Sequence, residues 1–186
     1  MLSRRASIML ATSIALLTTC VVIARLAPKN ELPPAIWAVL EKPDRYELLS
    51  LCSVGPLTLP DGTLQPQTRP ADPTTKAVYS HGFLVLGGVT LTDAKARQRV
   101  NGALRDSMRD WPQVFAGCGF QPRHAIRAVR GGKTVELLIC FHCGDMEALV
   151  NGVRERGQFY VDHATPPAFQ DVLKAANVPV EEDAED

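Results

Sequence analysis

Two runs of β-type sequence, residues 123–130 and 133–141, meet at Gly131-Gly132. This junction constrains the fold more than any other stretch of the chain. A two-residue Gly-Gly loop supplies the positive φ angles that a tight hairpin requires. The spacing then predicts a register with Ile126 opposite Leu137, Ala128 opposite Val135 and His124 opposite Ile139. On the other face Arg127 meets Glu136, an opposite-charge cross-strand pair. One face is apolar and the other charged, as a hairpin lying on a core demands. The stretch from Cys118 to Cys143 also holds three of the five cysteines, together with His124 and His142.

The chain of 186 residues is long enough for one domain with a real core and an appendage. The N-terminus supplies the appendage. Residues 6–24 carry no charge, and nineteen such residues in a helix span roughly 28 Å, close to the hydrocarbon thickness of a bilayer. A retained signal anchor suits this length best. A cleaved signal peptide, with Val22 and Ala24 at the small-residue positions before the cut, is the alternative. A lipoprotein signal ending at Cys20 fits less well, because Val21-Val22-Ile23 continues the apolar run. The expected location is membrane-anchored on the extracytoplasmic (periplasmic) side, or exported in soluble form.

The division expected is therefore a signal segment at 1–26, a proline-rich tether at 27–44 that becomes a docking segment near Ile36 to Leu40, one domain at 45–180 and an acidic disordered tail at 181–186. Charge argues in the same direction. Beyond residue 26 the chain has seventeen basic against twenty acidic side chains, a net charge of −3. That is the wrong sign for a protein held to nucleic acid through its phosphates. The membrane, through residues 6–24, is the expected contact, and no nucleic acid is expected.

Along the domain, residues 46–52 read as a strand, Asp61-Gly62 as a turn and residues 66–76 as a loop. Residues 83–90 read as a strand bent at Gly87-Gly88. Thr92 caps a helix beginning at Asp93. Its stripe is Ala96, Val100, Ala103, Leu104 and Met108, its wet side carries arginines, and Trp111-Pro112 ends it. Residues 146–150 and 158–161 read as further strands. Pro166-Pro167 opens a short helix through Ala176 that turns Phe169, Leu173 and Ala176 inward. The class expected is α+β: an antiparallel sheet with a central Gly-Gly hairpin, one long helix packed on a face and a short C-terminal helix.

Cys140-Phe-His-Cys143 is the motif with chemical content. Two cysteines separated by two residues can form half of a zinc site, completed by Cys118 with His124 or His142. They can equally be a redox-active pair, although such pairs sit at helix N-termini and Cys140 ends a strand. Strand alternation sets His124 and Cys140 on opposite faces of the hairpin, which opposes a shared metal. Outside the cytoplasm cysteines tend to pair, and Cys118 with Cys140 or Cys143 is the natural structural disulfide. Cys52 is read as a buried thiol or a pairing partner, while His81 and His163 stand alone. Asp44, Glu47 and Asp145 form no interpretable acid/base pair. The chain has no Gly-rich phosphate loop, nucleophile elbow or H-E-x-x-H motif. No cofactor is expected unless the cysteines hold zinc.

The sequence Cys118…Pro122-Arg123-His124-Ala125-Ile126-Arg127, then Gly132-Lys133-Thr134-Val135, then Ile139-Cys140-Phe141-x-Cys143 resembles a family of uncharacterised bacterial proteins. That group carries Pro-Arg-His-Gly-(Ile/Leu)-Arg, a Gly-Lys-Thr-Val strand and Ile-Cys-Phe-x-Cys. The likeness extends to residues 46–51, 82–87 and 169–179. Ala125 replaces the group's usual glycine, and Gly119 is inserted after Cys118, which shifts the facing of that cysteine. The resemblance implies a compact domain, often behind a signal or lipoprotein segment, and carries no activity. The expectation is a membrane-anchored or exported binding or structural module rather than an enzyme.

Overall fold

A computed structural model of the protein describes residues 30–53, 57–58, 64–65, 78–109 and 119–181. The uncharged run at 6–24, the Asp61-Gly62 turn, the loop at 66–76, Trp111-Pro112 and Cys118 lie outside these residues. Among the described residues no helix is long and apolar enough to cross a membrane.

The central hairpin forms in the expected register. β6 (His124–Arg130) and β7 (Lys133–Cys140) pair antiparallel, with Ile126 on Leu137, Ala128 on Val135, His124 on Ile139 and Arg127 on Glu136. Gly131 and Gly132 take φ values of 55° and 79°, the left-handed conformation that makes glycine the natural residue there. Asp44 and Arg130 hold the tip in place. Gly131 N–H donates to the Asp44 carboxylate at 2.7 Å, and Arg130 donates to the Ala38 carbonyl at 2.8 Å.

The other strands build outward from this hairpin. β1 (Arg45–Leu51) pairs with β6 on one side and β5 (Phe83–Thr90) on the other, and β4 (Tyr79–Ser80) closes that edge. β8 (Asp145–Val150) pairs with β7, and β9 (Val153–Arg154) and β10 (Phe159–Tyr160) lie along its outer side. The order is β10-β8-β7-β6-β1-β5-β4, antiparallel throughout. The edge at β8 is interrupted: Leu149 faces Arg154 but Met146 faces Phe159, so two extra residues bulge between β9 and β10. The bend expected in β5 occurs one residue before its glycine pair. Ser50 faces Gly87 while Leu51 faces Val85, which leaves Leu86 as the bulged residue. β2 (Leu57–Thr58) and β3 (Leu64–Gln65) pair with each other.

Among the described residues three helices cover one face: α1 (Pro34–Glu41), α2 (Ala94–Arg109) and α3 (Pro167–Ala175). The segment at 27–44 was expected to dock near residues 36–40, and Ile36, Val39 and Leu40 are buried in the main core together with Leu32. Pro34 sits at the first helical turn, where its missing N–H costs nothing. α2 is capped one residue later than expected. The Asp93 carboxylate, not Thr92, accepts from the Lys95 and Ala96 amides at 3.2 and 2.9 Å. In α3, Val172 is buried with Phe169 and Leu173, and Ala176 is instead the exposed C-cap. Three of the four α2 arginines are engaged within the chain. Arg97 reaches the Leu91 and Thr92 carbonyls, Arg105 pairs with Glu41 and stacks on Trp37, and Arg109 pairs with Asp106.

The main core lies between these helices and one sheet face, where Leu48, Ile126, Val135, Leu137 and Ile139 meet Val100, Leu104 and Phe169. One polar chain crosses it. The Tyr46 hydroxyl donates to Asn101 Oδ1 at 2.8 Å, and Asn101 Nδ2 donates to the Leu40 carbonyl at 2.9 Å. Burial holds the Tyr46 hydroxyl far above its ordinary pKa, so it remains a donor. A smaller cluster of Leu49, Leu51, Phe83, Ala125, Leu138 and Leu149 occupies the opposite face. The substitution Tyr46→Phe keeps the ring but leaves Asn101 Oδ1 without its donor. An unsatisfied buried acceptor costs on the order of 1–3 kcal/mol. The urea midpoint of Y46F should fall accordingly with an unchanged slope.

Candidate functional site

Strand alternation sets what each side chain of the central hairpin can reach. His124 opens β6 on the helix-covered face, and its cross-strand neighbours there are Ser50 and Ile139. Its ring is packed edge-to-face against Phe141 at 5.6 Å and Phe169 at 5.8 Å, and those two rings meet at 5.2 Å. Only 6% of His124 is exposed. Burial first, and the Arg123 guanidinium second, pull its pKa down from 6.5 to about 4. The imidazole is neutral at neutral pH. Neither ring nitrogen has a hydrogen-bond partner among the described residues, and beside it the buried Ser50 hydroxyl also lacks one.

A pocket of about 130 Å³ opens at His124. Arg123, Thr165, Gln170, Lys174, Val180 and Glu181 form its other walls. Glu181 does not belong to a free tail. Its carboxylate accepts from the Ser53 amide at 2.6 Å and lies 3.7 Å from Arg123 Nε. The site thus combines two cationic side chains, a neutral imidazole, a hydroxyl, an amide and one resident carboxylate. No sequence pattern announced this group, because its members come from β6, α3, the loop before α3 and the segment after it.

The cysteine motif forms a different kind of centre. Cys140 and Cys143 are joined by a disulfide with Cα atoms 5.2 Å apart. The sequence reading favoured Cys118 paired with one of them. The short turn after β7 already brings its own two cysteines within disulfide reach, and Cys118 lies outside the described residues. Gly144 N–H donates to the Phe141 carbonyl at 3.0 Å, and Cys143 N–H to Cys140 Sγ at 3.1 Å. Gly144 has φ of 69°, and a Cβ there would stand 2.8 Å from the His163 ring. His163 in turn sits 3.1 Å from the His142 carbonyl through Nδ1, so this histidine braces the turn. Cys140 is 1% and Cys143 7% exposed. Cys52 is a buried free thiol.

The described members of the zinc set do not converge. Cys140 and Cys143 are bonded to each other, His124 faces the aromatic cluster on the helix-covered side and His142 is exposed. Among the described residues no group of three or more His, Cys, Asp or Glu side chains could hold a metal.

A third group lies on the face away from the helices; its Arg127–Glu136 pair follows from the hairpin register, while His81 and Glu47, distant in sequence, were missed. His81 Nε2 and Arg127 Nε each contact the Glu136 carboxylate at 2.8 Å, and Arg127 Nη1 lies 3.9 Å from Glu47. Burial pushes the Glu136 carboxyl up, but the hydrogen bonds and charges of Arg127 and His81 outweigh it and leave its pKa lowered. The charges compensate one another, so this group acts as a brace. Of the three acids named from sequence, Asp44 supports the hairpin tip and Glu47 pairs with Arg45 at 2.6 Å. Burial raises the pKa of Asp145.

The neutral His124 makes stability depend on pH with a definite sign. Its folded pKa lies below the ordinary value, so its contribution is intact above about 6.5 and is lost as pH falls through about 4. The gap corresponds to about 3 kcal/mol at full protonation. Urea midpoints at pH 7, 5.5 and 4 should fall more steeply in the wild type than in H124F, which keeps an aromatic ring and cannot titrate. Comparison of the chain with protein-family profiles, with curated proteins and with solved structures gives no match.

Proposed function

We propose that this chain is a domain anchored to a membrane by residues 6–24, or exported, which works on the extracytoplasmic side as a binding or structural module. The observation that carries the reading is the Cys140–Cys143 disulfide. Disulfides persist in oxidising compartments and are rare in the cytosol. The uncharged N-terminal run offers a route to such a compartment, and the resemblance to the uncharacterised bacterial family points the same way.

A thiol-disulfide redox role is the second reading, and loop size is what favours it. By the chain-entropy relation a four-residue loop contributes only about 2 kcal/mol, against about 3 for fifteen residues. A bond so short adds little as a staple. Burial and position argue the other way. Both sulfurs belong to residues with little exposure, and the pair sits in a strand–strand turn, away from the helix N-terminus that depresses a thiol pKa. The structural reading is therefore preferred.

Expression of the full chain in a Gram-negative host tests both parts. After denaturation and alkylation without reductant, intact mass should show Cys140 and Cys143 unmodified, and reduction should release them. The protein should stay in carbonate-washed membranes and leave them when residues 6–24 are deleted. Free thiols at both positions with stoichiometric zinc would overturn the disulfide reading in favour of a metal centre.

A further inference from the structure

Asn30 is fastened to the domain by three hydrogen bonds. Its Nδ2 donates to the Met108 carbonyl at 2.7 Å and to the Tyr160 carbonyl at 2.9 Å, and the Tyr160 amide donates to Asn30 Oδ1 at 2.9 Å. Leu32 is buried in the core and Pro33-Pro34 opens α1, so the chain has no slack beyond this point. Asn30 thereby fixes where the N-terminal segment enters the domain, between the C-terminal end of α2 and β10. A groove of about 420 Å³ opens at the same place, lined by Asn30, Glu31, Trp37, Arg105, Met108 and Arg109.

Only residues 25–29 separate Asn30 from the uncharged run at 6–24. The six steps from Ala24 to Asn30 reach at most about 22 Å at full extension. A compact domain of this size is about 40 Å across, so its far side lies about 60 Å away around the surface. With residues 6–24 in a bilayer, so short a leash brings only the end of the domain around Asn30 to the headgroups. The residue types there suit that position. Tryptophan is enriched at the membrane–water boundary, where its ring meets both phases. Trp37 is half-buried under the Arg105 guanidinium, which lies 4.0 Å from the ring centroid, and a charged head on a long apolar stem suits the same boundary. The contact calls on no surplus charge, because Arg105 is paired with Glu41 and Arg109 with Asp106. We propose that this face is the domain's membrane contact, with headgroups of the surrounding lipid entering the groove beside Trp37. The inference rests on the anchored form of the proposed function and names the surface that meets the bilayer.

The full chain has two tryptophans, Trp37 and Trp111, and fluorotryptophan labelling gives each a fluorine signal. The substitution V78W adds a third, at an exposed position beside β4 on the opposite edge of the sheet. Loss of a signal in W37F or W111F identifies each native one. The chain is placed in phosphatidylcholine nanodiscs that contain a lipid with a nitroxide on its headgroup. Six strand spacings of about 4.8 Å separate β4 from β10, and the Trp37 signal should broaden about threefold or more relative to the V78W signal. The difference should survive about 0.5 M salt, which screens exposed charges. Equal broadening of the two signals, in a chain that resists carbonate washing, overturns the membrane face and leaves the anchor standing. Release of the chain by carbonate overturns the anchor, and this inference with it. Loss of the difference in salt overturns the groove as the contact. Broadening of Trp37 without nitroxide, growing with the number of chains per disc, assigns the groove to a second copy and overturns the lipid.

Discussion

The hydrogen-bonded chain from Tyr46 through Asn101 to the Leu40 carbonyl decides how the two layers of this domain sit on one another. Apolar packing alone tolerates small slides, because a leucine surface is nearly as favourable one ångström away. A buried hydroxyl and a buried amide are not so permissive, since each loses its partner when the layers shift. Tyr46 belongs to β1, Asn101 to α2 and Leu40 to α1, so one polar chain fixes three elements. The hairpin inherits that position through the β1–β6 pairing. His124 therefore opens its strand directly beneath the Phe169 ring.

The consequence for the site is preorganisation. The imidazole packs edge-to-face on the Phe141 and Phe169 rings, which also meet each other, and this sets its plane without a hydrogen bond. Arg123 follows from the same strand entry, and its amide donates to the Ile139 carbonyl at 3.2 Å. Lys174 and Gln170 arrive from α3, the helix that supplies Phe169. The segment that ends in Glu181 is held by Val178 and Val180 against the core, by the Ser53 amide and by the Arg123 guanidinium.

Local signals in the sequence were sufficient for the central hairpin and the α2 and α3 helices, and insufficient for the site. Gly131-Gly132 and the alternation on either side determine a register without reference to the rest of the chain. The α2 stripe behaves similarly, although its buried Asn101 and Ser107 were invisible, because polar residues on a helix look solvated until a partner appears. Pro33-Pro34 reads as a break, yet proline is also a helix opener, and only burial of Ile36 and Leu40 distinguishes the two. The cysteine pairing was misjudged by favouring a longer loop over the turn that already brings Cys140 and Cys143 together. His81 with Glu136, and Arg123 with Glu181, are contacts across more than fifty residues. No spacing rule reaches that far.

The split outer edge of the sheet has a bearing on how the domain meets its own copies. A long unpaired strand invites another chain to add its own, which is the usual start of aggregation. Here both margins end in two-residue strands, β4 on one side and β9 and β10 on the other. The two-residue bulge between β9 and β10 breaks the row of donors and acceptors before it can act as a template. Exposed Val78 and Val153 lie at these margins, where a continuous edge would make them sticky. An edge that cannot be extended keeps encounters between copies brief.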